Sequence, residues 1–199
     1  MSAQISSPSS TSLDIDKAKT GLVVIDLQKG IASFPAAPHD TKTVVSNAAK
    51  LADAFRRNRM PVLLVRVISS EVERLSPISD AQFQSRGSPA RDWSEFMPEM
   101  EPEENDIVIT KKQWGAFYGT DLDLQLRRRK LDTIVLCGIA TNYGVESTAR
   151  FAYEYGYQQI FAEDAMASMT AEMHSAAINY ALKRMGRVRS TEQILEALR

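Results

Sequence analysis

Residues Leu136 to Arg150, LCGIATNYGVESTAR, constrain the fold of this chain more than any other stretch, because they read as a buried strand turning sharply into a helix. Thr133 to Ile139 is apolar throughout apart from small residues, the pattern of a strand covered on both faces. Val145, Ala149, Ala152 and Tyr155 then recur at helical spacing, and Gly156 stands where a C-terminal cap belongs. The link from Ala140 to Gly144 therefore sits at the carboxyl end of a strand and the amino end of a helix. Unpaired backbone N–H groups point outward there, and α/β proteins place their chemistry at such turns.

A chain of 199 residues with 44% hydrophobic content suits one well-packed domain. Its 24 basic and 25 acidic residues nearly cancel, so no global field favours nucleic acid or an anionic membrane. A small neutral or anionic metabolite remains open as a partner. The single cysteine, Cys137, has no internal disulfide partner and lies in an apolar run, which fits a buried thiol in the reducing cytoplasm. No apolar run approaches the roughly 20 residues of a membrane span, and the N-terminus lacks a signal pattern.

Residues 1–12 are Ser-rich and are expected as a flexible tail, with residues 13–199 as the domain. Gly21 to Gln28 carries four apolar residues ending in Asp26, which a central strand would deliver to its carboxyl end, although an Asp there can equally cap the next turn. Thr41 to Arg57 is an amphipathic crossover helix, and Val62 to Ile68 a second strand whose Arg66 is best read as structural. Ser69 to Asn105, with four prolines and no sustained period, is expected as an irregular insertion tethered by Trp93 and Phe96. Asp106 to Thr110 is the third strand, followed by Lys111 and Lys112, one of which can orient a carboxylate while paired lysines more often face water.

The next loop is aromatic. Trp114, Phe117 and Tyr118 either wall a pocket for a flat ring or anchor packing. Thr120 and Asp123 look like a capping pair for a helix through Arg129. Gln158 to Ala162 is expected as a fifth strand, Thr170 to Lys183 as a helix, and Gly186 to Arg189 as a short edge strand. Ser190 and Gln193 form a capping box for the last helix. The alternation predicts a three-layer α/β/α, Rossmann-like fold around a six-stranded parallel sheet.

Asp26, Lys111 and Gly144 all fall at or just past strand ends, so such a sheet would gather them in one crevice. Together, VIDLQ (24–28), ITKKQWGAF (109–117) and GIATNYGVESTA (138–149) resemble the isochorismatase-like, or cysteine hydrolase, superfamily over Gly21 to the C-terminus. The resemblance implies a homo-oligomeric hydrolase of a small molecule. It assigns Asp26 as the catalytic acid and Lys111 as the catalytic lysine, and puts the family nucleophile's position at Gly144. Gln28, Phe34, Thr141 and Tyr143, with Trp114, Phe117 and Tyr118, complete the expected substrate-binding set.

Glycine carries no attacking atom, so the covalent acyl-enzyme route is closed at position 144. Cys137, seven residues earlier and inside the strand, is no substitute, and Ser147 has no His placed to activate it. No metal or other cofactor is expected. Metal-binding members carry Asp-x-His after the second strand, where residues 68–73 here read ISSEVE, and His39 and His174 are expected at the surface. Isochorismatases share a glycine at this position, and the resemblance implies their chemistry: protonation of a vinyl ether by Asp26, assisted by Lys111 and the helix N-terminus near Gly144. One tension follows, because an ammonium lowers an aspartate's pKa whereas a general acid must hold its proton. The other class of reading is a non-catalytic family member acting as a ligand-binding or oligomeric scaffold.

Overall fold

The computed structural model describes residues 13–68, 75, 77–80 and 90–199. The tail expected over residues 1–12 and much of the expected insertion, including 69–74, lie outside them. Six parallel strands form one sheet: β1 Thr20–Ile25, β2 Val62–Val67, β3 Ile107–Lys111, β4 Thr133–Ile139, β5 Gln158–Ala167 and β6 Arg187–Arg189. Their order is β3-β2-β1-β4-β5-β6. Every residue of β1 and β4 is buried, which is why both appear in the sequence as unbroken apolar runs.

The order reverses between β1 and β4. Right-handed crossovers running outward in opposite directions place their helices on opposite faces, which gives the three layers. Helix α2 (Thr41–Arg57) follows the short α1 (Lys29–Ala32) and is capped by Asp40, whose side chain accepts from the Thr43 N–H. Its buried face, Val44, Val45, Ala48, Leu51 and Phe55, packs across β1, β4 and β5 and against α7 (Thr191–Ala197). Helix α3 (Leu122–Arg128) precedes β4, and α4 (Glu146–Glu154) follows it to cover β5. Ser190 and Gln193 form the expected capping box of α7.

Four local expectations change. Helix α3 is entered from Asp121 rather than from a Thr120–Asp123 pair, although Thr120 Oγ1 accepts from the Leu122 N–H. The expected Thr170–Lys183 helix is α5 (Ala171–Ala176), a π-turn over Ala177–Leu182 and α6 (Lys183–Met185). Strand β5 continues to Ala167 because residues 162–165 bulge: Leu136 pairs with Phe161, while Gly138 pairs with Met166. His174 is buried rather than on the surface, and His39 is partly buried.

At the join of β1 and β4 the backbones nearly touch. Gly138 has φ +120°, and a Cβ there would lie 2.0 Å from the Ile25 carbonyl oxygen, so only glycine fits.

Candidate active site

Asp26 is the first residue past β1 and adopts φ +53°, a left-handed conformation that Asp tolerates better than most residues. This turns its carboxylate off the strand axis into the crevice where the sheet order reverses. The side chain is buried, with the residue 4% exposed. Oδ2 lies 2.8 Å from Nζ of Lys111, the last residue of β3, which is itself 2% exposed and also donates to the Gln113 carbonyl at 3.0 Å. Oδ1 is buried with no hydrogen-bond partner among the described residues. Burial pushes the Asp26 carboxyl up from 3.8 to about 6, against the Lys111 ammonium, which pulls it down.

Gly144 approaches from the other side of the crevice. It sits in a π-turn, Thr141–Val145, inserted between β4 and α4. A Cβ at this position would point to Asp26 Oδ2, 3.3 Å away, and meet Ile25 Cγ2 at 2.9 Å. The turn commits the N–H groups of Tyr143 and Val145 to the Ala140 carbonyl. Thr148 braces it, donating to the Gly144 carbonyl at 2.7 Å and accepting from the Ala116 N–H at 3.0 Å, which joins it to the aromatic loop.

These groups open into a cavity of about 240 Å³. Asp26, Lys111 and Gly144 line its floor, and Phe34, Trp114 and Tyr143 from the expected binding set line its walls. Trp114 packs edge-on against Tyr143 with ring centroids 4.9 Å apart. The other four expected binding residues lie elsewhere. Gln28 is buried with its amide fully engaged: Oε1 accepts from the Val67 N–H at 2.8 Å, and Nε2 donates to the carbonyls of Val67 and Trp93. It is a clamp on the end of β2. Phe117 packs between Tyr155 and Tyr157, Tyr118 is exposed outside the cavity, and Thr141 is buried against His174.

The cavity also uses residues not singled out as binding residues. Trp93, read only as a tether, is a wall, held by its backbone carbonyl to the Gly30 N–H. Ile31 and Pro35 flank Phe34, a short apolar run that could have drawn notice. Ser168 and Met169 arrive only because β5 runs past Ala162, for which the local sequence gives no signal. Cys137 is fully buried inside β4, where desolvation first and the Asp164 charge second push its thiol up to about 12. Arg66 is structural, donating to Thr110 Oγ1 and lying over the Phe96 ring.

The isochorismatase domain model matches residues 20–193. The chain belongs to the isochorismatase family. It is 49% identical over 189 residues to the uncharacterized isochorismatase family protein YwoC of Bacillus subtilis, covering 94% of this chain and 98% of that one. It is 50% identical over 188 residues to the corresponding protein YecD of Escherichia coli O157:H7, covering 94% and 100%. An isochorismatase family protein from Burkholderia thailandensis superimposes with a TM-score of 0.88 at 38% identity, covering 94% of this chain and 99% of that one. The family is one of hydrolases. No helix among the described residues is long and apolar enough to cross a membrane.

Proposed function

We propose that this family member hydrolyses the vinyl ether of a small anionic metabolite, of the isochorismate type, without a nucleophilic cysteine. The observation that carries the reading is the state of Asp26: a buried carboxyl held up to about 6 beside Lys111, with one oxygen unpartnered among the described residues and no side chain opposite it at Gly144. Burial outweighs the neighbouring cation in its effect on Asp26, which supports the reading by bringing the carboxyl toward the range a general acid uses near neutrality.

In the reaction, the Asp26 carboxyl gives its proton to the terminal methylene carbon of the enol ether, leaving an oxocarbenium ion. Lys111 holds the resulting carboxylate. Water adds to the cationic carbon and returns its proton to Asp26. The hemiketal then collapses: the bond between its central carbon and the ether oxygen breaks, and that oxygen, staying on the ring, takes the hydroxyl proton, to give pyruvate and an alcohol. One water is consumed and the enzyme is regenerated. The cavity of about 240 Å³ lies below the roughly 300–1,000 Å³ of drug-sized sites, which suits a single small ring stacked near Trp114 and Tyr143.

The test is pyruvate release from isochorismate and related enol ethers by the wild type and by Asp26→Asn. The variant should fold and lose on the order of 10²–10⁴-fold in kcat. Equal turnover by both proteins, or release by neither, overturns the reading; the second outcome, with ligand-induced melting shifts retained, favours the non-catalytic one.

A further inference from the structure

His39, Glu163 and His174 come from three separate parts of the chain: the loop before α2, the bulge of β5, and α5. Their ligating atoms all lie within 4.8 Å of one another. Glu163 Oε1 stands 3.1 Å from Nε2 of His39 and 3.0 Å from Nε2 of His174. The two rings meet edge to face, 5.9 Å between centroids.

From these positions we infer a binding site for one divalent transition-metal ion, with Zn²⁺ the fitting example, held by His39 Nε2, His174 Nε2 and a Glu163 carboxylate oxygen. Imidazole with carboxylate is a donor set that suits zinc, at about 2.0–2.2 Å per bond. Tetrahedral ligands at that distance stand about 3.3 Å apart, by the geometry of those bonds. The two N···O separations of 3.0 and 3.1 Å open by a few tenths of an ångström, and the two histidine nitrogens, within 4.8 Å of each other, close onto the ion.

The outer contacts fit as well. Thr141 Oγ1 lies 2.8 Å from His174 Nδ1, so this hydroxyl can accept from Nδ1–H and leave Nε2 with its lone pair toward the ion. An oxygen on the second ring nitrogen is the usual partner of a metal-bound histidine. Without metal the network is also satisfied: each Nε2–H donates to Glu163, and Thr141 donates to Nδ1. Loading therefore calls for a shift of tautomer, the ring proton moving from Nε2 to Nδ1. The side chains of Glu163 and His39 are about one-third and one-quarter exposed, at 34% and 27%, which leaves the remaining coordination positions open to water.

The ion would act as a clamp. Ala37, two residues before His39, exchanges backbone hydrogen bonds with Ser168 on the cavity wall, and Phe34 and Pro35 lie just upstream. Thr141 begins the turn that carries Gly144. Fixing His39 to β5 and α5 would thus stiffen two sides of the cavity at once.

The test uses the untagged full chain, stripped with EDTA and titrated with Zn²⁺ by calorimetry and with Co²⁺ by visible absorption. Expected are one ion per chain, Co²⁺ d–d bands, and a rise in Tm with Zn²⁺ concentration. Glu163→Gln keeps an acceptor for both imidazoles, so its metal-free Tm should stay near that of the wild type while its Zn²⁺ affinity falls at least tenfold. His39→Gln should lose affinity similarly, and Thr141→Val by about 10–100-fold. No binding by the wild type, or binding unchanged in both Glu163→Gln and His39→Gln, overturns the site.

Discussion

Replacing Lys111 by Met removes the cation 2.8 Å from Asp26 Oδ2 while leaving an unbranched stem to fill the buried space. An opposite charge at this range lowers a carboxyl by about 1–3 units. The Asp26 carboxyl stands at about 6 with the lysine present, so in Lys111→Met it should titrate at about 7–9. At pH 7 the protonated fraction would rise from about one in ten to half or more. The sign for stability follows from the raised value. The folded protein binds this proton more tightly than the unfolded chain does, so stability falls as pH rises from about 4 to about 6, and in the variant the fall extends to about 7–9. At about 1.36 kcal/mol per unit, the rise from 3.8 to about 6 costs the wild type about 3 kcal/mol above pH 6. At pH 7 the variant's largely neutral carboxyl costs about 4 kcal/mol. This term therefore destabilises the variant by only about 1 kcal/mol, well short of the 3–5 kcal/mol expected for a stranded charge. Carboxyl ¹³C shifts of Asp-labelled protein followed against pH, with Asp26→Asn to assign the resonance, measure it directly, and urea melts at pH 5 and 7 measure the stability. A wild-type Asp26 resonance titrating near 4, or one that moves downward in Lys111→Met, would refute the reasoning.

Two further perturbations separate packing from chemistry. Gln28→Ala strands the Val67 N–H and removes one of the two donors to the Trp93 carbonyl, which keeps the Gly30 N–H, so urea denaturation should show a loss of about 1–3 kcal/mol, with weaker substrate binding following from a loosened Trp93 wall. Gly138→Ala forces a Cβ to 2.0 Å from the Ile25 carbonyl at φ +120°, and should cost more than about 4 kcal/mol; a soluble variant with an unchanged melting temperature would contradict the close approach of β1 and β4.

The central strands were legible because a parallel strand buried on both faces is apolar along its whole length, and a polar residue at its end stands out. Asp26 stood out for that reason, with a turn cap as the equal alternative, whereas Lys111 over Lys112 and the position of Gly144 came from the family resemblance; a sheet order that reverses between β1 and β4 brings the three together. Residues off the strand ends were harder. Gln28, beside the acid in sequence, serves the backbone of β2, and Thr141 serves His174, because a buried polar side chain is claimed by whichever neighbour can satisfy it. Trp93 lies 67 residues from Asp26 in sequence and has no pattern that places it on the same cavity.

What the sequence determined by itself was the alternation of buried strands and amphipathic helices, the capping box that starts the last of those helices, and a carboxylate and a lysine pair at strand ends with a glycine in the turn after the fourth, since each is written in residues only a few positions apart. Only the tertiary structure decided that Asp26 is raised to about 6 and that Cys137 is sealed at about 12, because desolvation depends on every atom that surrounds a group. It alone also brought His39, Glu163 and His174 together, across a bulge in β5 where its register against β4 shifts.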